Sequence, residues 1–498
     1  MSATPPRNAK HRRFVFVACL LATFTTAIEA TIVATSMPSI VAQIGGFKYY
    51  AWAFSIYLLT QVVTTPIYGK LIDTYGRKPV LVAGLSLFML GSLACGFATS
   101  MTMLIAFRFF QGLGAGAVQP VSLTIIGDIY SIKERASLQG YVSAVWGISS
   151  IAGPIVGGVI VQTLGWSWIF WVSIPFGIAC IALVGVYLHE NVAHTHARID
   201  FPGAGLLFIA LSALILVLTL GPDLALGGGA ALLALSAAVF WMLVVHIKRA
   251  PDPIIDLRLW TRPLIAHSNV AGLLAGVVMI GPVSFLPLFV QGVLGGSAIT
   301  AGLVLTGMSI GWTFSSIAAG KLFGRLGTRN LSRIGGVMLL AGALTIAFAW
   351  RYGVGFATAG TVLIGTAMGF LSTSFLFGIQ MSLGWAERGA ATASMVLTRL
   401  LGNAVGASLF GGVLNYSLQR YLDRHGANGM SLDSVRDLLA GHGAVLQSAA
   451  ALTTLREGLN ASVQLVFWVI AIIAMLGLAA SWRVPALDLR KLAADERT

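Results

Sequence analysis

The sequence predicts an all-α integral membrane protein: two six-helix bundles with two further helices inserted between them, fourteen transmembrane helices in all, and both termini in the cytoplasm. Three observations predict it. Of 498 residues, 57% are hydrophobic and only 10% are charged, against about a quarter charged in a soluble domain. Apolar runs of the roughly 20 residues that cross about 30 Å of hydrocarbon as helix recur fourteen times along the chain. Lys and Arg gather on every second connection between them. A mean hydropathy of +0.87 excludes disorder, and together with the low charge it excludes an ordinary soluble enzyme.

The elements follow in order. Residues 1–13 form a basic cytoplasmic tail. The apolar run behind it is longer than the roughly 7 to 15 residues of a secretory signal, so it reads as a retained first helix. The first bundle, 14–188, holds six runs: 14–37, 51–68, 79–98, 101–129, 138–161 and 169–188. A connector, 189–263, carries the inserted pair at about 201–220 and 230–247. The second bundle, 264–482, holds runs 264–290, 301–323, 331–350, 355–380, 391–413 and 461–482, with an external loop at 415–460 and a cytoplasmic tail at 483–498. The 58 glycines suit helices that pack backbone against backbone in lipid. Within the external loop, Leu432, Val435, Leu438 and Leu439 recur at helical spacing and predict a short amphipathic helix.

Alternating sides from a cytoplasmic N-terminus places 23 of the 31 Lys and Arg inside and 6 outside, four of those in the one long loop. Such loops report orientation poorly, so the positive-inside rule fixes both termini in the cytoplasm. The net charge of +14 is then a record of orientation rather than a nucleic-acid footprint. Cys19, Cys95 and Cys180 lie inside apolar runs with no pairing pattern. The three histidines of 189–196 read as a solvated connector, so no metal site is assigned. Nothing in the chain demands a cofactor or a dimer, and a monomer is expected.

The halves repeat. Gly69-Lys70-Leu71 with Gly76 and Lys78 recurs as Gly320-Lys321-Leu322 with Gly327 and Arg329, at an offset of 251. Glu134-Arg135 recurs as Glu387-Arg388, and Gly157-Gly158 as Gly411-Gly412. Parallel six-helix repeats describe a transporter that rocks about a midplane site. Four motifs then carry a resemblance over nearly the whole chain: Gly69–Lys78 between the second and third helices; Gly153-Pro154-Ile155-Val156-Gly157-Gly158 in the fifth; Glu29 through Pro38 in the first; and Arg108-Phe109-Phe110-Gln111-Gly112 in the fourth. They resemble the major facilitator superfamily, specifically its fourteen-helix drug:proton antiporter branch. Thr74 stands where a basic residue is more usual, and Glu29 where Asp is.

The resemblance implies a major facilitator fold and roles for these residues. Gly69, Asp73, Gly76, Arg77, Lys78 and Asp128 would form a conformational latch, with Arg77 pairing with Asp128 and Asp73 facing the N-terminus of the helix that starts near Ala390, where the dipole favours a carboxylate. Gly153, Pro154, Gly157 and Gly158 form the motif associated with antiporters; such a sequence bends a helix and lets a neighbour approach closely.

Glu29 is the only carboxylate far from a helix end in the fourteen runs. At 1.5 Å per residue it lies roughly 22 Å in from the cytoplasm, and Arg108 lies roughly 10 Å in from outside, so the two reach similar depth. Burial raises a carboxyl pKa and a nearby cation lowers it. Glu29 is therefore expected to carry the coupled proton and meet cationic substrate, with Arg108 tuning it; the competing reading is a fixed structural ion pair. Tyr57, Gln61, Trp146, Asn269, Gln291 and Trp312 are candidate cavity residues, with ordinary packing as the alternative for each. Arg399 either joins them or snorkels toward the cytoplasm.

No G-x-x-x-x-G-K-[ST] phosphate loop is present, so transport is expected to be secondary. The expected function is proton-coupled efflux of lipophilic or cationic small molecules by alternating access, from a bacterial cytoplasmic (inner) membrane. The expected partners are a small-molecule substrate, protons and the lipid bilayer, with no nucleic acid. The alternative is a proton-coupled carrier of one metabolite, such as a vitamin, siderophore or amino-acid derivative, with import as well as export open to it.

Overall fold

The structure, a computed structural model, describes residues 9–130, 132–190, 199–220, 226–251, 253–383, 385–425, 430–440 and 449–486. All regular structure among them is helical: α1 (Ala9–Ile44), α2 (Tyr50–Tyr75), α3 (Arg77–Gly96), α4 (Met101–Ile129), α5 (Ile132–Thr163), α6 (Trp168–Trp171), α7 (Ser173–Tyr187), α8 (Phe201–Leu220), α9 (Leu226–Arg249), α10 (Pro263–Leu288), α11 (Ala298–Ala347), α12 (Ala349–Tyr352), α13 (Val354–Met381), α14 (Trp385–Arg424), α15 (Val435–Leu439) and α16 (Ala449–Trp482).

Twelve of these segments are long and apolar enough to cross a membrane. Two places separate that number from the expected fourteen. The 26-residue α2 is not among the twelve, because Thr60, Gln61, Thr64 and Thr65 dilute its apolar character. The 50-residue α11 counts once, although its backbone leaves the helical region at Gly327 (φ 66°, ψ 179°), in the left-handed range that glycine adopts at little cost.

Several hydroxyls inside these helices are satisfied by a carbonyl of their own helix, as an apolar environment favours. Thr23 donates to the Cys19 carbonyl at 2.9 Å, and Thr124 to that of Pro120 at 2.9 Å. The predicted loop 415–460 is largely helix: α14 continues to Arg424 and α16 begins at Ala449. Between them stands the expected short helix, α15, preceded by a 3-10 turn at Leu432–Ser434 that Ser431 caps.

The chain divides into two compact units. The first comprises Met1–Ile254, Pro287–Leu303 and Gly411–Ser462; the second comprises Ile255–Leu286, Val304–Phe410 and Val463–Thr498. In the first unit α4 packs against both α2 and α3, and α1 against α5 and α7. Its core joins Leu85, Phe88, Val118 and Val121 to Cys19 and Cys180. All three cysteines are free and fully buried. The α8–α9 hairpin leans on α2. Asp200 holds its base: one carboxylate oxygen accepts from Gly203 N at 2.9 Å and lies 2.6 Å from His246 Nε2, while the other accepts from Ile254 N at 3.1 Å. Also in the first unit, Arg436 of α15 donates to the Gln43 carbonyl at 2.9 Å, at the end of α1.

The repeat reappears as packing. In the first unit a Cβ on Gly112 would strike Tyr57, and one on Gly116 would strike Thr64, Gln61 and Thr65. In the second unit a Cβ on Gly365 would strike Met308, and one on Gly369 would strike Ser315, Trp312 and Ser316. Tyr57, Gln61, Thr64 and Thr65 on α2 each lie 251 residues before their counterparts on α11, and each glycine 253 before its own; Thr60, which also meets Gly112, has Gly311 at the corresponding place. Glycine is needed at these four positions because the backbone and short hydroxyl side chains of the facing helix leave no room for a Cβ.

Candidate functional site: a buried ion pair and a capped helix junction

α1 brings Glu29 and α4 brings Arg108 to one place, 0% and 2% exposed, where they form an ion pair through Arg108 Nη1 and Glu29 Oε1. The same Nη1 donates to Gln111 Oε1 at 2.8 Å, and Nε donates to the Ala53 carbonyl at 3.1 Å. The guanidinium lies over the Tyr57 ring, 4.3 Å from its centroid. Gln111 Nε2 passes the network on to Ser92 Oγ at 3.0 Å, and Ser92 donates to the Phe170 carbonyl at 2.8 Å. Four helices and the start of the sixth span thus fix the guanidinium. Glu29 is less completely held: its Oε2 is buried with no hydrogen-bond partner among the described residues. A carboxylate oxygen with no donor in an apolar interior is costly to desolvate.

Gln111 is the residue that the pairing of Glu29 with Arg108 did not bring to notice. Its signal was present, since three residues after Arg108 is one turn along the same helix face.

The 69–78 segment builds a second cluster. α2 ends at Gly76, whose φ of 91° turns the chain directly into α3. Arg77 Nε donates to Asp128 Oδ2 at 2.8 Å, and Lys78 Nζ donates to the Gly185 carbonyl at 2.6 Å. A carboxylate outside the motif, Glu190, accepts from the backbone N of Arg77 at 2.9 Å and from that of Lys78 at 3.1 Å. The Asp73 side chain lies outside the described residues, and the helix it was expected to face, α14, starts at Trp385 rather than near Ala390. Gly69 has open space around it.

α5 runs unbroken through Gly153–Gly158. Gly153 lies against Thr31 and Gly157 against Ile32 and Ser36 of α1, while Gly158 lies against Ile299. Thr31 Oγ1 donates to the Ser149 carbonyl at 3.0 Å. The motif therefore sets the distance between α1 and α5, two residues from Glu29; the Pro154 side chain lies outside the described residues.

The candidate cavity residues separate. Tyr57 belongs with the ion pair. Gln291 donates to the Thr35 carbonyl at 2.9 Å, and Asn269, fully buried, donates to Ser394 Oγ at 2.9 Å. Gln61 is half-buried and Trp146 is 40% exposed. Trp312 lies beneath the Arg399 guanidinium, 5.5 Å from ring centroid to carbon.

Residues 19–407 match the Major Facilitator Superfamily. The chain belongs to that superfamily. It is 33% identical over 411 residues to the multidrug transporter protein MdtP of Bacillus subtilis, covering 81% of this chain and 75% of that one. It is 33% identical over 423 residues to multidrug resistance protein 3 of the same organism, covering 83% and 81%. A crystal structure of a bacterial homologue of the human lysosomal transporter Spinster, inward-facing and unoccupied, superposes with a TM-score of 0.69 at 16% identity, over 96% of this chain and 98% of that one. The protein is thus a multi-pass membrane transporter for small molecules and not an enzyme.

Within this major facilitator transporter, the ion pair and the capped junction are different kinds of site. The Glu29–Arg108 pair is buried, so salt and solvent screen it less than a pair at the surface. The Arg77–Asp128 pair is about one-fifth exposed on each side, so solvent screens it more than the buried pair.

Proposed function

We propose that the protein exports lipophilic, often cationic, small molecules in exchange for protons by alternating access, and that Glu29 is the proton carrier. The observation that carries this reading is the Glu29 carboxylate: fully buried in a membrane helix, bound to Arg108 through one oxygen, and with its other oxygen unpartnered. Protonation of Oε2 neutralises the carboxylate and releases Arg108 toward Gln111 and the Ala53 carbonyl, which already hold it. Deprotonation restores the pair, so the site has two arrangements that differ by one proton, as coupled transport needs. A lipophilic cation competes with Arg108 for the same carboxylate. The names of the two Bacillus relatives, a multidrug transporter and a multidrug resistance protein, support the substrate class.

The same reading takes the chain through the membrane fourteen times with both termini in the cytoplasm. Twelve apolar segments become fourteen when α11 is divided at Gly327 and the 26-residue α2 is counted. An even number returns the chain to its starting side, and the distribution of Lys and Arg favours the cytoplasm for both ends.

The test is transport of tetraphenylphosphonium in proteoliposomes with an imposed pH gradient. The wild type accumulates the cation against its own gradient, and Glu29→Gln retains only downhill exchange. Proton-driven accumulation by Glu29→Gln at the wild-type level would overturn the assignment.

A further inference from the structure

Among the described residues, Arg12, Arg77, Arg108 and Arg262 each meet a carboxylate. Arg399 does not. Its guanidinium has no hydrogen bond and no ion pair among the described residues, and lies over the Trp312 ring, 5.5 Å from the centroid. The described residues of the second unit offer it no counter-ion. The described part of that unit contains two carboxylates, Asp256 and Glu387. Asp256 accepts from Arg258 N at 2.9 Å, and Glu387 is bound to Arg262 at 2.9 Å. Glu387 also lies about 18 Å from Arg399 along α14, at 1.5 Å per residue.

An arginine inside a membrane helix is expensive and is ordinarily paired. The contact with Trp312 offsets part of that cost, and it does so through the face of the guanidinium. The five N–H donors lie in the guanidinium plane, so the contact leaves them uncommitted. Arg399 is half-buried rather than sealed. One turn further along α14, Asn403 is 5% exposed and its amide nitrogen donates no hydrogen bond among the described residues. The internal repeat makes the arrangement particular to the second half: 253 residues before Arg399 stands Trp146, and 251 before Trp312 stands Gln61. A cation thus occupies a position that holds an aromatic ring in the first half.

We propose that Arg399, with Trp312 and Asn403, is a binding subsite for substrates that carry an anionic oxyacid group, a carboxylate or sulfonate, on an aromatic body. The guanidinium takes two oxygens in parallel, Asn403 adds an amide donor, and Trp312 supplies aromatic surface for the ring. This rests on the export reading above and extends its substrates from lipophilic cations to acidic and zwitterionic aromatics.

The experiment is equilibrium dialysis of the purified full-length protein in a neutral detergent with naphthalene-2-sulfonate, and separately with tetraphenylphosphonium. Wild type is expected to bind both. Arg399→Gln should weaken the sulfonate by roughly tenfold or more, the range of a lost charge-assisted hydrogen bond, and leave tetraphenylphosphonium unchanged, which also shows that the variant is folded. Arg399→Lys should fall between, because a point charge replaces a planar fork. Equal weakening of both probes by Arg399→Gln, or sulfonate binding that neither variant alters, overturns the subsite, as a snorkelling arginine would give. Displacement of the sulfonate by phosphatidylglycerol but not by phosphatidylcholine assigns the site to a lipid headgroup and overturns it too. Wild-type binding of the cation alone defeats the subsite and leaves export standing; binding of neither probe defeats both.

Discussion

Glu190 caps the helix that Arg77 begins. Its carboxylate accepts from the Arg77 and Lys78 backbone amides at 2.9 and 3.1 Å, while the Arg77 side chain reaches Asp128 on α4. One residue is thereby held by two carboxylates, one at its backbone and one at its guanidinium. The first N–H groups of a helix have no intrahelical acceptor, and the helix dipole favours an anion beside them. The start of α3 is therefore pinned by the segment that follows α7 as well as by α4.

Replacing Glu190 by Ala removes that cap and is expected to cost about 1 kcal/mol of stability, read as a lower thermal midpoint in detergent. Glu190→Gln keeps an acceptor and should lose less. The KM for tetraphenylphosphonium should be unaltered in both, and an unchanged midpoint for Glu190→Ala would show that the cap contributes nothing.

The two arginine–carboxylate pairs should differ in coupling. Arg77–Asp128 is partly solvated, and a double-mutant cycle should give about 0.2 to 1 kcal/mol. Arg108→Ala strands Glu29 in a dry interior and should cost about 3 to 5 kcal/mol, much of it recovered when Glu29→Gln is added. Comparable coupling energies for the two pairs would contradict the difference in burial.

Asp200 gives the fold a pH dependence. Burial alone would raise its carboxyl, but His246 and the amides of Gly203 and Ile254 outweigh burial and hold it below the usual carboxylate range. With the folded value below the unfolded one, about 3.9, the stabilisation is fully present above that pH and is lost as pH falls through the folded value. Asp200→Asn should therefore be less stable than wild type at pH 7, with the gap narrowing below about pH 4. Parallel melting curves at the two pH values decide it, and a gap that stays constant rules out the linkage.

The motif glycines should split by what surrounds them. Gly153→Val drives a side chain into Thr31 and is expected to cost about 1 to 3 kcal/mol by overpacking, with loss of transport. Gly69→Ala meets nothing within 4 Å and should leave the thermal midpoint unchanged or raise it by the helix preference of alanine, up to about 1 kcal/mol. A destabilised Gly69→Ala would mean that this glycine serves a conformation other than the one described.

The legible parts of the site were those that local chemistry makes costly. Glu29 and Arg108 stood out because charge is rare in apolar runs, and counting residues along two helices placed them at one depth. Arg77 and Asp128 came from a motif. Glu190 was hidden because it lies 113 residues from Arg77 in a connector of ordinary composition, where one carboxylate looks like any other. Trp312 and Arg399 were each visible, but their meeting was not, since nothing in either helix encodes which face the other presents. The expected loop 415–460 fell short because polar helix extensions beyond the membrane carry no apolar period to mark them. The fusion of two spans into α11 reflects the opposite effect, a turn so tight at Gly327 that almost no loop remains between them.

The three native cysteines have a practical bearing on the orientation of the chain. Cys19, Cys95 and Cys180 are each 0% exposed, so a water-soluble maleimide has nothing native to modify in the folded protein. A thiol introduced at an exposed site then reports only its own side of the membrane. Asp433→Cys and Arg483→Cys, both at exposed positions, should be labelled from opposite sides in intact cells and inverted vesicles. The chain thus comes with a silent chemical background, on which its topology can be read one residue at a time.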